Sequence, residues 1–96
     1  MAGRVAQLST TFRRSVIDLG LQPGSPGFRA VFTTVAALAN ADELPGAGDD
    51  ETKFGPGRVF VRRVSGRNVW ILYRFDEDHV YAMTTRGQPP VPVDDS

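Results

Sequence analysis

Residues 57–85 read GRVFVRRVSGRNVWILYRFDEDHVYAMTT, and this stretch decides the architecture. Three runs, GRVFVRRV, NVWILYRF and HVYAMTT, are rich in β-branched and aromatic residues and are split by the polar turns SGR and DED. That spacing predicts three strands in an antiparallel meander. Alternation sorts the first two strands onto two faces. Val59, Val61, Val69, Ile71, Tyr73 and Phe75 form an apolar set expected to face a core. Arg58, Phe60, Arg62, Trp70, Leu72 and Arg74 form the other set, aromatic bodies among guanidinium groups. In the third strand Val80, Ala82 and Thr84 compete with Tyr81 and Met83 for the inward positions, and the pattern does not separate them.

Upstream the apolar period changes from two to 3.6. Arg4 to Leu8 reads as a short first strand. Ser9 or Thr10 caps a helix in which Phe12, Val16 and Leu19 recur with Ile17 beside them, and Gly20 suits its C-terminal cap. Ser25-Pro26 opens a second helix, with proline at the first position, where its missing amide costs nothing. Phe28, Val31, Phe32, Val35, Leu38 and Ala39 make its apolar stripe, and Asn40 stops it. The short connection favours an antiparallel helix hairpin. The expected fold is therefore α+β, with an N-terminal helix hairpin packed on a small, mostly antiparallel sheet. Residues 41–57, ADELPGAGDDETKFGPG, are expected as a mobile polar loop. Residues 1–96 are expected to be one domain, with a Pro-rich tail at 87–96 that lies along the sheet edge or loose in solvent.

Composition narrows function by exclusion. Eleven basic residues balance eleven acidic ones, and the pI near 6.5 argues against strong nonspecific affinity for nucleic acid. All the basic residues but Lys53 are arginine, the side chain that binds carboxylate and phosphate bidentately and stacks on rings. There is no cysteine, hence no disulfide framework or thiolate chemistry. No secretory signal and no membrane span are read, so a cytoplasmic location is expected. The single histidine, His79, follows Asp76-Glu77-Asp78, which reads as a solvated turn rather than a metal site. Asp49-Asp50-Glu51 lacks the alternating spacing of a calcium loop. GPGR at 55–58 lacks the Gly-Lys-Ser/Thr ending of a phosphate loop. No serine or threonine has partners for a triad. The mixed strand face is left as the candidate site. It suits RNA phosphate and bases, or an acidic, apolar peptide, or it is an open face whose arginine stems cover apolar surface.

Three stretches carry a family resemblance. VAQLSTTFRRSVIDL looks like an opening strand and first helix. FRAVFTTVAALANADELPG looks like a second helix running into a Pro-Gly loop. TKFGPGRVFVRRVSGRNVWILYRFDEDHVYAMTTRG looks like a Lys-containing loop, an Arg-rich strand, a Tyr-Arg strand, an acidic turn and a final apolar strand. Over residues 4–86 this order resembles the RelE/ParE superfamily of small bacterial toxins. The resemblance implies the toxin of a toxin–antitoxin pair, partnered by a cognate antitoxin with an extended, often acidic segment. It implies either a ribosome-dependent mRNA endonuclease of the RelE-like branch or a gyrase inhibitor of the ParE-like branch. In the former, basic sheet residues hold the scissile phosphate and assist attack by the ribose 2′-hydroxyl. By position, Lys53, Arg58, Arg62 and Arg74 are the candidates for catalytic roles. Arg58, Phe60, Arg62, Trp70, Arg74 and Arg86 are the candidates for binding. No cofactor or metal is implied. The chain departs from the ribonuclease pattern in its neutral charge. Trp70 stands where the central strand opens with arginine, unless Arg67 takes that place, and no Tyr or His follows the last strand. A shared fold does not transfer a function, so a non-catalytic interaction module on the same fold is the second reading.

Overall fold

The computed structural model describes residues 3–53 and 57–88, with Lys53 described through its backbone. Five strands and two helices follow the order β1 (Val5–Leu8), α1 (Thr10–Asp18), α2 (Pro26–Ala39), β2 (Asp50–Lys53), β3 (Arg58–Arg63), β4 (Trp70–Phe75) and β5 (His79–Arg86). The sheet order is β1-β5-β4-β3-β2, with β1 parallel to β5 and every other pair antiparallel. The α+β architecture expected from the sequence is the observed one.

Both helices begin where their caps put them. The Ser9 hydroxyl accepts from the Phe12 amide at 2.9 Å and donates to the Met83 carbonyl at 2.8 Å, so the cap also pins α1 to β5. Further along the helix the Ser15 hydroxyl accepts from the Thr85 amide and hydroxyl, at 2.9 and 2.8 Å. Gly20, at φ +79°, takes the left-handed turn out of α1. Ser25 caps α2 through the Phe28 amide, with Pro26 in its first turn and Asn40 at its end. Val31, Val35, Leu38 and Ala39 are the buried stripe of α2, the i, i+4, i+7, i+8 spacing of one helix face. Phe28 is only half-buried, its ring 4.6 Å from that of Phe32 at the margin of the core.

The helices cover one face of the sheet. Phe12, Val16, Val31, Val35 and Leu38 meet Phe60, Val64, Val69, Ile71, Tyr73, Val80 and Ala82 there. Val59, Val61 and Leu72 belong to the opposite face, with Trp70 and Met83 packed on them. Strand β3 is thus turned over relative to the expectation. Phe60 and Arg62 pair with Tyr73 and Ile71 and point to the helix side, whereas Val61 pairs with Leu72 and points away. Alternation failed because both faces of the central strands are buried. Val59, Phe60 and Val61 are consecutive and all under a tenth exposed, so period two leaves no polar row to mark the outside. In β5, Val80 and Ala82 face the helices. A register shift opposite Leu72/Tyr73 then lets Thr85 rather than Thr84 meet Ser15 on the helix side.

The expected loop is also partly corrected. Residues 50–53 pair with β3 as an edge strand. Before it, Asp49 anchors the segment from inside. Arg62 donates to the Asp49 carboxylate through Nε (2.7 Å) and Nη2 (3.0 Å), the Gly46 amide donates to it at 2.8 Å, and the Tyr73 hydroxyl donates to it as well. The Asp49 side chain is 1% exposed and that of Arg62 24%. A Cβ on Gly46 would fall inside the Arg62 guanidinium, so only glycine lets the two stack. The Asp49 bond raises the Arg62 pKa, while burial, then Asp49, pushes the Tyr73 phenol far above its ordinary value. The remainder of the 41–57 expectation at 54–56, and the tail at 89–96, lie outside the described residues.

Candidate functional site

The face turned away from the helices carries two different ends. At one, cross-strand pairing aligns Arg63 of β3, Trp70 of β4 and Arg86 of β5 in a single row. The Arg63 guanidinium lies 5.5 Å from the centre of the Trp70 ring, a cation–π contact worth about 0.5–1 kcal/mol at an exposed site. The β3–β4 turn fixes this arginine, which donates from Nε to the Arg67 carbonyl (2.8 Å) and from Nη2 to Asn68 Oδ1 (3.1 Å). Gly66, at φ +74°, makes that turn possible, with the Arg67 amide closing on the Val64 carbonyl at 3.1 Å. Arg63 and Arg86 are exposed and Trp70 is half-buried. The middle of the face is formed by Val59, Val61 and Leu72, which are buried with Trp70 and Met83 packed against them.

At the other end, Arg74 pairs with Tyr81 across β4 and β5. The Arg74 guanidinium lies against Gly57, 2.9 Å from where a Cβ there would sit. His79 stacks on Tyr81 with ring centres 5.5 Å apart and planes 25° from parallel. Asp76 organises this end. Its carboxylate accepts from the amides of Asp78 (2.8 Å) and His79 (2.7 Å) and from the Tyr81 hydroxyl (2.8 Å). These donors, the Tyr81 hydroxyl first, hold its pKa down to about 2. The same bond raises the Tyr81 phenol. Arg4 fastens the turn from behind, donating to the Asp76 carbonyl at 2.8 Å and the Ala41 carbonyl at 3.0 Å.

The residues singled out from the sequence are therefore not one cluster. Trp70, Arg74 and Arg86 belong to the uncovered face. Phe60 is buried on the helix side with Tyr73 and Phe75 at 6.0 and 5.5 Å. Arg62 is committed to Asp49. Arg58, 73% exposed, lies at the β2–β3 edge, bidentate to Glu51 at 2.9 and 3.1 Å and 5.3 Å from the Phe60 ring. Lys53 is its register partner on β2. Sequence reasoning passed over Arg63, whose signal was its place opposite Trp70 across the connection formed by residues 64–69. It also took Asp76 and His79 for a plain turn, because their tie to Tyr81 appears only once β5 is paired.

The helix hairpin offers a further surface. An apolar groove of about 270 Å³ opens between Leu8, Val16, Ile17, Phe28 and Phe32, with Arg13 on its rim. Ile17 is 69% exposed there.

No protein-family model matches this sequence, and no curated protein matches it either. A solved structure does match in fold. YafQ from E. coli strain BL21(DE3) superposes with a TM-score of 0.62 at 14% identity, over 85% of this chain and 90% of that one. The chain thus has a RelE-like fold, as the order of its elements suggested.

Proposed function

We propose that this chain is the toxin of a toxin–antitoxin pair and acts on RNA through the sheet face that the helices leave uncovered. The observation that carries the reading is the match to YafQ, a RelE-family toxin, over most of both chains. The Arg63–Trp70–Arg86 row supports it chemically, because an aromatic plane between guanidinium groups suits a nucleobase flanked by phosphates. The formal charge of zero fits a target reached locally, on a larger assembly, better than free nucleic acid gathered by long-range attraction. The antitoxin has two surfaces to use. Its acidic segment complements the arginine row, and an apolar side chain of it suits the groove at Ile17 and Phe28.

Inducible expression tests this. Growth should stop, co-expression of an adjacent small open reading frame with an acidic C-terminal segment should restore it, and mapped mRNA ends should show new cuts. Arrest with intact mRNA and inhibited gyrase would favour the ParE-like route. Unimpeded growth would leave the protein-interaction module.

A further inference from the structure

We infer that His79, held by Asp76, is the proton-transfer group of this face, and that the end carrying Arg74 and Tyr81 is where a phosphodiester of single-stranded RNA is cut. This rests on the ribonuclease reading above and assigns its acid–base residue. The histidine is placed as such a group requires. Its Nδ1 is buried, makes no hydrogen bond, and stands 3.4 Å from Asp76 Oδ1. The ring as a whole is 35% exposed, so its accessible atoms lie away from Nδ1. A small ring rotation lets Nδ1–H donate to Asp76, which leaves the Nε2 lone pair turned outward. Unliganded catalytic hydrogen bonds are often long in this way.

The neighbours match the role. The Asp76 carboxylate is immobilised by two amides and the Tyr81 hydroxyl, so it orients the imidazole and stabilises the imidazolium without accepting its proton. Tyr81 stacks on the ring and fixes its plane. Arg74, the register partner of Tyr81, brings positive charge to the same face for the phosphate. Glu77 and Asp78 are exposed on the turn, and Arg4 braces it through the Asp76 carbonyl. In the reaction, Nε2 takes the proton of a ribose 2′-hydroxyl. The 2′-oxygen bonds to the adjacent phosphorus, the bond from phosphorus to the 5′-oxygen breaks, and the proton passes from Nε2 to that departing oxygen. The products are a 2′,3′-cyclic phosphate and a 5′-hydroxyl.

The full-length chain is added to a translating extract programmed with a reporter mRNA, and cut ends are quantified against pH. His79→Gln should slow cleavage at least 100-fold, and the acidic limb of the pH–rate profile should vanish from its residual rate. Asp76→Asn should slow cleavage about tenfold and displace that limb. Thermal melting checks that both variants stay folded. Wild-type cleavage with His79→Gln equally active, or with an unchanged pH profile, overturns this assignment and leaves the ribonuclease reading standing. A wild-type chain that arrests growth without cutting mRNA overturns both.

Discussion

The two faces of the sheet are built from similar residues and put to different use. Each carries an arginine beside an aromatic ring: Arg62 with Tyr73 on the helix side, Arg63 with Trp70 on the other. They are adjacent in the chain, yet their partners differ. Arg62 is neutralised by Asp49, whose carboxylate is almost wholly enclosed, and the trio clamps the segment before β2 onto the core. Arg63 is held by neutral oxygens only, the Arg67 carbonyl and Asn68 Oδ1, and stays exposed with its charge unspent. A buried ion pair contributes through being complete. An exposed guanidinium held by neutral acceptors is pre-arranged for an anion from outside. A one-residue change of face thus separates an arginine enclosed with a carboxylate from one left exposed on the surface. No helix among the described residues is long and apolar enough to cross a membrane.

The sharpest way to break this contrast is through the layer beneath it. Ile71 and Leu38 are fully buried between helices and sheet. Truncating either to Ala should cost about 2–5 kcal/mol in denaturant unfolding. A parental melting curve for either would show that the helices do not seal this face.

Next in size is the clamp. Asp49→Ala removes one partner of a buried pair, and the loss should be about 2–4 kcal/mol because Arg62 is partly exposed and regains some water. Adding Arg62→Met should recover part of it, since an apolar pair leaves no unmatched charge. Arg62→Ala alone should therefore act on stability, not on partner affinity. Weakened binding with unchanged stability would instead return Arg62 to the partner surface.

Arg63→Ala combined with Arg86→Ala should show the opposite signature. Affinity for the antitoxin should fall tenfold or more, about 1.4 kcal/mol, while stability moves by no more than about 1 kcal/mol. Calorimetric titration beside a thermal melt separates the two. A double variant that binds as before would reduce the arginine row to solvated surface.

The same contrast explains what could be read in advance. Caps are local, so Ser9, Gly20, Ser25-Pro26 and Asn40 were legible as helix ends, and the fold class followed from the order of elements. Strand β3 was not, because Val59, Phe60 and Val61 are all buried and only the Asp49 partner, thirteen residues upstream of Arg62, decides which arginine turns inward. Strand β2 hid in acidic sequence of poor β propensity, stabilised by pairing with β3 rather than by its own side chains. Three of the expected site residues, Trp70, Arg74 and Arg86, did reach one face: Trp70 and Arg74 by the alternation of β4, and Arg86 because the register shift reverses the alternation of β5.

The smallest expected effect lies at the acidic end of the uncovered face. The Asp76 carboxyl is held at about 2 in the folded chain, below its ordinary value of 3.8, by the Tyr81 hydroxyl and then by backbone amides. A depressed folded-state pKa means that the unfolded chain binds the proton more readily. The stabilisation is therefore complete above the ordinary carboxylate range and is lost as pH falls from about 4 toward 2. Because the group lies at the surface, solvent and salt screen it, and the effect should be small beside the core truncations. Asp76→Asn should remove that part of the acid dependence, so that wild type and variant converge in melting temperature near pH 2 and diverge, with wild type higher, above pH 4. Tyr81→Phe should shrink the same gap without abolishing it, since the two amides remain. Parallel pH curves for wild type and Asp76→Asn would mean that the carboxylate is no better held in the folded chain than in the unfolded one. The turn at Asp76 would then not be the rigid end that the arrangement of Tyr81 and His79 requires.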